Sequence, residues 1–348
     1  MRPRVLILVS QRVDAALRAA VAEGRRPEPE FLRLERLLGA ELLDWSRVSS
    51  SAGRRGVRLS MAHAWHGLRR ARRFDAVLSD GEHVGIPMAI GLRATRSQAR
   101  HVVIGHRLTT PAKRPFLRGL RGGRGMSRIV VHSDRQLEAA VGELGIERER
   151  LRLLPYFADT RFWRPLPVAE ERLVVAAGRE HRDYATLVEA CAGLEAGVFL
   201  AVGSFHSPAA RALLPRRLPP NVEAGFAAYE QLRDLYARAA VVAVPVLPTD
   251  FQAGITTLLE AMAMGKAVVV SGANGHDRVV DHARSGLVVP PGDAGALREA
   301  IDWLLAHPAE RARLGASARQ AVEERYSLEL FAERLAAELV PGAPAAVR

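Results

Sequence analysis

The 348-residue chain holds one cysteine, Cys191. An intramolecular disulfide framework and any cysteine-cluster metal site are thereby excluded. Cys191 sits in LVEACAGL on an apolar helix pattern and reads as a buried thiol rather than a nucleophile. Lysine is nearly missing, since only Lys113 and Lys266 are found among the fifty cations. With so much alanine and glycine, that preference for arginine fits the coding bias of a GC-rich genome and says little about function. No run of about 18 apolar residues crosses a bilayer. The opening MRPRVLILVSQRVDAALRAA is basic and then apolar, but VLILV is followed at once by Gln11, Arg12 and Asp14. That pattern is a first strand, not a signal peptide, and the expected location is cytoplasmic, with peripheral contact at the inner face of the membrane. No HExxH motif or His/Cys cluster offers a metal site, so none is expected. GxGxxG and P-loop lysine motifs are missing too, which argues against a dehydrogenase or a kinase. Aromatics make up 5%, and no nucleic-acid-binding module accompanies the basic charge, so nucleic acid is not the expected partner.

What is present is apolar material for packed cores, at 48% hydrophobic and 25% charged residues, in a length that suits two domains. The net charge of +12 is unevenly spread. Residues 1–170 carry 32 Lys and Arg against 17 Asp and Glu, or +15, and residues 171–348 carry 18 against 21, or −3. Short β-branched runs alternate with amphipathic segments, the pattern of βα units whose parallel strands are buried on both faces. In the first half the strands are expected at 4–9, 74–80, 100–106, 127–133 and 150–156, with helices at 12–22, 60–72, 84–94, 111–122 and 134–144. In the second half strands are expected at 172–178, 198–204, 241–247, 266–272 and 286–292. Its helices fall at 183–194, 229–238, 255–264, 276–282, 294–305 and 308–325. The fold class is α/β with two Rossmann-like doubly wound domains, 1–165 and 166–328, joined at the aromatic and proline-rich FADTRFWRPLPVAEERL. Two such domains facing each other form a cleft at the carboxyl ends of their sheets. Residues 329–348 form a helix and tail that could cross back to the first domain.

The most specific stretch runs from Asp250 to Val270. Gly254, Ile255, Thr256 and Thr257 open an apolar helix, so their free amides and the positive end of the helix dipole suit a phosphate. Glu260, a turn and a half on, could accept hydrogen bonds from a ribose diol; a well-capped core helix with an exposed glutamate is the plainer reading. LLEAMAMGKAVVVS, SGLVVPPGDAGALREAIDWLL and ERYSLELFAERL together resemble the C-terminal domain of the retaining glycosyltransferases of family 4, which have the GT-B architecture. The resemblance implies nucleotide-sugar binding. In that family two glutamates eight apart close on the donor, the second on the ribose and the first on the transferred sugar. Glu260 matches the second, and Gln252 takes the place of the first, where it can hydrogen-bond a hydroxyl but supplies no negative charge. VVAAGREHRDYATLVEA resembles the segment whose arginine and lysine grip the donor diphosphate. Arg179 matches the arginine, Tyr184 stands at the lysine position, and Arg182 could provide the second cation in place of a metal. A solvated loop pair with Asp183 is the bland reading of both arginines. His106, ending the strand RHVVIGH, matches a histidine near the donor sugar, with a core or loop histidine as its alternative.

The implied activity is transfer of a sugar from a nucleotide diphosphate donor, without cofactor, to an acceptor held by the first domain. The divalent-cation signature Asp-x-Asp of the other large glycosyltransferase architecture occurs nowhere in the chain. Asp80, Glu82 and His83 follow a strand and could contact the acceptor, or serve as turn and cap. The family's glycine-rich loop after the first strand is not evident in VSQRVDAAL. Two basic segments, 53–73 and 109–125, stand out. In the latter, Lys113, Arg114, Arg118, Arg121 and Arg124 accompany Phe116, Leu117 and Leu120, a composition for anionic lipid or for a lipid-linked or anionic acceptor; a solvated basic face is the alternative. A GT-B nucleotide-sugar epimerase, a non-catalytic nucleotide-sugar-binding protein and an anionic-surface binder are the competing readings.

Overall fold

The computed structural model describes residues 3–48, 56–119, 123–202, 214–249, 251–273 and 275–342. Leu120, Arg121 and Asp250, and the tail after Gly342, lie outside them. The chain forms two compact units, the first of Met1–Glu23, Glu28–Pro155 and Glu329–Arg348, the second of Gly24–Pro27 and Tyr156–Leu328. The break after Pro155 comes before the expected 165–166, because Phe162 and Trp163 belong to the core of the second unit, where Trp163 meets Tyr236 at 5.7 Å between ring centroids. Among the described residues no helix is long and apolar enough to cross a membrane.

The first unit is built on six parallel strands, β1 (Val5–Leu8), β2 (Glu41–Leu43), β3 (Ala76–Ser79), β4 (Arg100–Ile104), β5 (Arg128–Val131) and β6 (Leu151–Leu153), in the order β2-β1-β3-β4-β5-β6. Helices α1 (Ala15–Ala22), α2 (Glu30–Leu38), α3 (Val57–Ala71), α4 (Glu82–Ala94), α5 (Arg114–Gly119) and α6 (Asp134–Gly142) connect them. Every residue of β1 and β3 is buried, the consequence of helices on both faces. Neither α2 nor β2 was expected from the pattern. β2 is a three-residue edge strand beginning at exposed Glu41, too short and polar to give an apolar run. It follows α2, which buries Phe31, Leu32 and Leu34 and ends at left-handed Gly39.

The second unit has the strands β7 (Glu171–Ala177), β8 (Gly197–Ala201), β9 (Val222–Gly225), β10 (Ala239–Val244), β11 (Ala267–Ser271) and β12 (Leu287–Val289), ordered β12-β11-β10-β7-β8-β9. Its helices are α7 (Tyr184–Cys191), α8 (Tyr229–Arg238), α9 (Ile255–Ala263), α10 (Ala294–Ala306) and α11 (Pro308–Arg325). Neighbours along a strand serve opposite faces: Val175 and Val242 pack with Trp163, Tyr236 and Met262, whereas Val174 and Val241 pack with Tyr184, Cys191 and Ile301. Cys191 is buried and its thiol is pushed up to about 12 by burial, which makes it inert at neutral pH. The expected helix at 276–282 is only a 3-10 turn, His276–Arg278, and edge strand β9 was missed for the same reason as β2. The last helix, α12 (Leu328–Leu339), belongs to the first unit from Glu329 on. Its Glu338 lies 3.2 Å from Arg128 and 2.8 Å from Arg152.

Candidate functional site

In the second sheet the strand order reverses between β7 and β10, and open α/β sheets bind ligands outside the carboxyl ends of the strands at such a point. The loops leaving these two strands are laced together. Asp183 N–H donates to the Pro245 carbonyl at 3.1 Å and Leu247 N–H to the His181 carbonyl at 3.0 Å. Within this lacing Arg182 is 6% exposed. Its Nε donates to the Ala177 carbonyl at 2.8 Å, Nη1 to the Glu180 carbonyl at 2.9 Å and Nη2 to Thr257 Oγ1 at 2.9 Å. Arg182 is thus a buried strut joining the end of β7, its loop and the first turn of α9, and not the solvent-facing cation expected from the motif. Burial lowers its pKa, and its carbonyl partners are what keep the charge inside.

Two glycines make room for that guanidinium. At Gly178, φ +110°, an added Cβ would lie 2.2 Å from Nη2; at Gly254, φ +88°, it would lie 3.2 Å from Nη1 and 2.8 Å from Val246. The lysine position is filled by Tyr184, whose hydroxyl donates to the Gly178 carbonyl at 2.7 Å and so fixes the same turn. Arg179 is exposed on this loop. Ile255 is buried in the core and Thr257 in the strut, while Thr256 faces outward. The side-chain amide of Gln252 stands 3.5 Å from where a Cβ of Gly275 would be. Glu260 is half-buried, less exposed than the plainer reading has it, and makes no ion pair among the described residues. Burial pushes its carboxyl up to about 8, against the pull of Arg182, so at neutral pH it can both donate to and accept from a hydroxyl pair.

The sequence pattern marks no role for His181, Phe251 or His276. His181 takes the left-handed conformation, φ +52°, with its ring edge-on to Phe251 at 5.3 Å; such outliers gather at functional sites. His276 is fully buried near Arg182, and burial lowers it to about 4.

In the first sheet the order reverses between β1 and β3. Ser10, just past β1, donates its hydroxyl to Asp80 Oδ1 at 2.5 Å and its backbone N–H to Oδ2, and His83 Nε2 lies 2.8 Å from the same hydroxyl. A serine hydroxyl has one proton, and the Asp80 carboxylate takes it. His83 then acts as donor, which is the reverse of the proton path in a Ser-His-Asp nucleophile. Burial raises Asp80, opposed by the Ser10 bonds. Ser10 was missed because it is seventy positions from Asp80; only its place at the end of β1 marked it.

The other first-unit candidates are tied down. Glu82 is buried under the loop after β4, accepting from Lys113 Nζ and from the backbone N–H groups of His106 at 2.9 Å and Arg107 at 3.1 Å. Burial opposes its ionisation, but Lys113 outweighs that and holds its pKa down. His106 Nε2 donates to the Asp80 carbonyl at 2.9 Å, and its ring stacks on His132 at 5.5 Å. Arg114 pairs with Glu143 at 2.6 Å, and Arg118 donates to the Glu143 carbonyl at 3.0 Å. The cations Lys113, Arg114 and Arg118 are therefore engaged inside the unit, and Leu117 is buried, while Phe116 stands exposed.

Residues 171–307, which hold the Arg182, Thr257 and Glu260 cluster, match the family model Glycosyl transferases group 1. The alpha-D-kanosaminyltransferase of Streptomyces kanamyceticus is 22% identical over 275 residues, 73% of this chain and 70% of that one. A GDP-mannose-dependent monoacylated alpha-(1-6)-phosphatidylinositol monomannoside mannosyltransferase of Corynebacterium glutamicum is 30% identical over 184 residues. That match covers 51% of this chain and 47% of the mannosyltransferase. Anabaena HepE in complex with UDP and glucose has the same fold, with a TM-score of 0.69 at 18% identity over 96% of this chain and 98% of that one. Residues 171–307 thus match a glycosyl transferases group 1 domain, and the chain as a whole has the α/β GT-B fold.

Proposed function

We propose that the chain is a retaining glycosyltransferase that needs no metal cofactor and moves a sugar from a nucleoside diphosphate donor to an anionic or lipid-linked acceptor. The observation that carries this reading is the cluster at the carboxyl ends of β7 and β10, where Gly178 and Gly254 leave space for a buried arginine near the half-buried carboxyl of Glu260, which makes no ion pair among the described residues. Glu260 would hold the ribose diol. The exposed Arg179, with the fixed charge of Arg182 behind it and the amides of Gly254, Thr256 and Thr257, would hold the diphosphate as it gains negative charge on leaving. Gln252 would serve the sugar. In a retaining transfer of this kind the departing phosphate oxygen takes the proton of the attacking hydroxyl, so a protein nucleophile is not needed. The acceptor class rests on the +15 charge of residues 1–170.

Thermal unfolding with UDP, GDP and ADP, and with their sugars, tests the donor site. A ligand at 100 times its Kd stabilises the native state by about 2.7 kcal/mol. One nucleotide should raise the midpoint, and its sugar should be consumed with retention at the anomeric carbon, read by proton NMR. Binding without turnover overturns the enzyme reading in favour of a non-catalytic binder. An inverted product overturns retention, and no stabilisation by any nucleotide overturns the whole proposal.

A further inference from the structure

Helix α3 has two unlike faces. Ser60, His63, Ala64, Gly67 and Ala71 are buried, and His63 Nε2 bonds the Leu43 carbonyl at 2.7 Å. On the other side Val57, Met61 and Trp65 recur every fourth residue and are 75%, 59% and 59% exposed. At 3.6 residues per turn, Arg58, Arg69 and Arg72 fall on that same side. Arg70 pairs with Glu41 at 2.7 Å, but Arg58, Arg69, Arg72 and Arg73 make no ion pair among the described residues. The sequence offers them none nearby, since no Asp or Glu stands between Asp44 and Asp75.

We propose that this face of α3 is a docking surface for anionic lipid, with Val57, Met61 and Trp65 in the headgroup layer and the arginines on lipid phosphates. An apolar stripe ending in tryptophan and rimmed by uncompensated cations is complementary to an interface that is apolar below and negative above. A second copy of the chain is a poor occupant, because a two-fold contact would set the same unpaired arginines against one another. The segment 113–118 is less suited than α3, since its cations are already bonded within the unit. This inference does not rest on the proposed activity.

Flotation with phosphatidylcholine vesicles, with and without about 30% phosphatidylglycerol, tests it at about 0.1 M and about 1 M salt. Binding should require phosphatidylglycerol and be lost at high salt. Replacing Arg58, Arg69 and Arg72 together by Gln should weaken partition on the order of a hundredfold, and the Met61→Ser, Trp65→Ser pair by about tenfold or more. These side chains are exposed, so the variants should keep the wild-type unfolding midpoint and the response to nucleotide. The tryptophan emission should shift to the blue on binding, and in Trp65→Phe the shift should vanish while binding persists. Absent binding, equal binding to neutral vesicles, or binding indifferent to these substitutions overturns the proposal. So does a dimer that Trp65→Ser dissociates.

Discussion

Replacing Gly178 by Ala probes how firmly the Arg182 strut is held. The new Cβ would lie 2.2 Å from Nη2, 2.6 Å from Cζ and 2.8 Å from Nε of Arg182, so the guanidinium must retreat by roughly 1 Å to reach ordinary contact. It is buried and bonded to the Ala177 and Glu180 carbonyls and to Thr257, and these bonds cannot all survive the move. A hydrogen bond to a charged group is worth about 1.5 to 3 kcal/mol. Losing one or two, with the strain of φ +110° on an alanine, gives a destabilisation of about 3 to 5 kcal/mol. Gly193→Ala is the control: its φ is +66° and nothing lies within 4 Å of the added Cβ, so only about 1 kcal/mol of backbone strain is expected. For a unit of this size 1 kcal/mol moves the midpoint by about 2 to 4 °C. Thermal unfolding followed by circular dichroism should therefore place Gly178→Ala about 8 to 15 °C below the wild type, and Gly193→Ala about 3 °C below. If the two variants unfold within about 3 °C of one another, Arg182 is not pinned and its role as a strut is wrong.

Three further outcomes are expected. Lys113→Ala strands buried Glu82 without its cation and should cost the first unit about 2 to 3 kcal/mol in urea, less than a fully buried pair because Lys113 is partly exposed; adding Glu82→Gln should recover part of that loss, and no recovery means the pair is not coupled. Glu260 keeps its proton up to about 8, whereas the unfolded chain loses it near 4.5, so its contribution to stability is present at low pH and declines as pH rises through that window. Glu260→Gln should therefore gain on the wild type by up to about 1.4 kcal/mol per pH unit between them, and a pH-independent difference would sink this. His101 is held down to about 4 and His132 to about 3 by burial, so they are neutral in the native first unit while the unfolded chain binds protons below about 6.5. Urea midpoints should fall as pH drops from about 6.5 toward 4, and His101→Asn should flatten that slope.

The inner strands were legible because burial on both faces leaves an unbroken apolar run, as in VLIL and AVVVS. Edge strands β2 and β9 were not, since their outer faces meet solvent and carry Glu41 and Glu223. The motif around Gly254 and Glu260 was visible as a helix start with a carboxyl about a turn and a half on, and the left-handed Gly254 is where the pattern put it. The division of labour between Arg179 and Arg182 was not visible. Both are arginines in one loop, and only the approach of Gly178, Gly254 and Thr257 decides which is buried.

Element type, the segregation of positive charge into residues 1–170 and the match of Glu260 to a donor-binding motif follow from sequence alone, because periodicity, composition and short spacings are local properties of a chain. Which charges remain available was decided by tertiary structure. Lys113, Arg114 and Arg118 meet partners between twenty-five and thirty-one positions away, whereas Arg58, Arg69 and Arg72 meet none among the described residues. Ser10 joins Asp80 only because β1 and β3 are neighbours in the sheet. Ion pairing and burial depend on what the fold brings within a few ångströms, and that information is not carried by any window of the sequence.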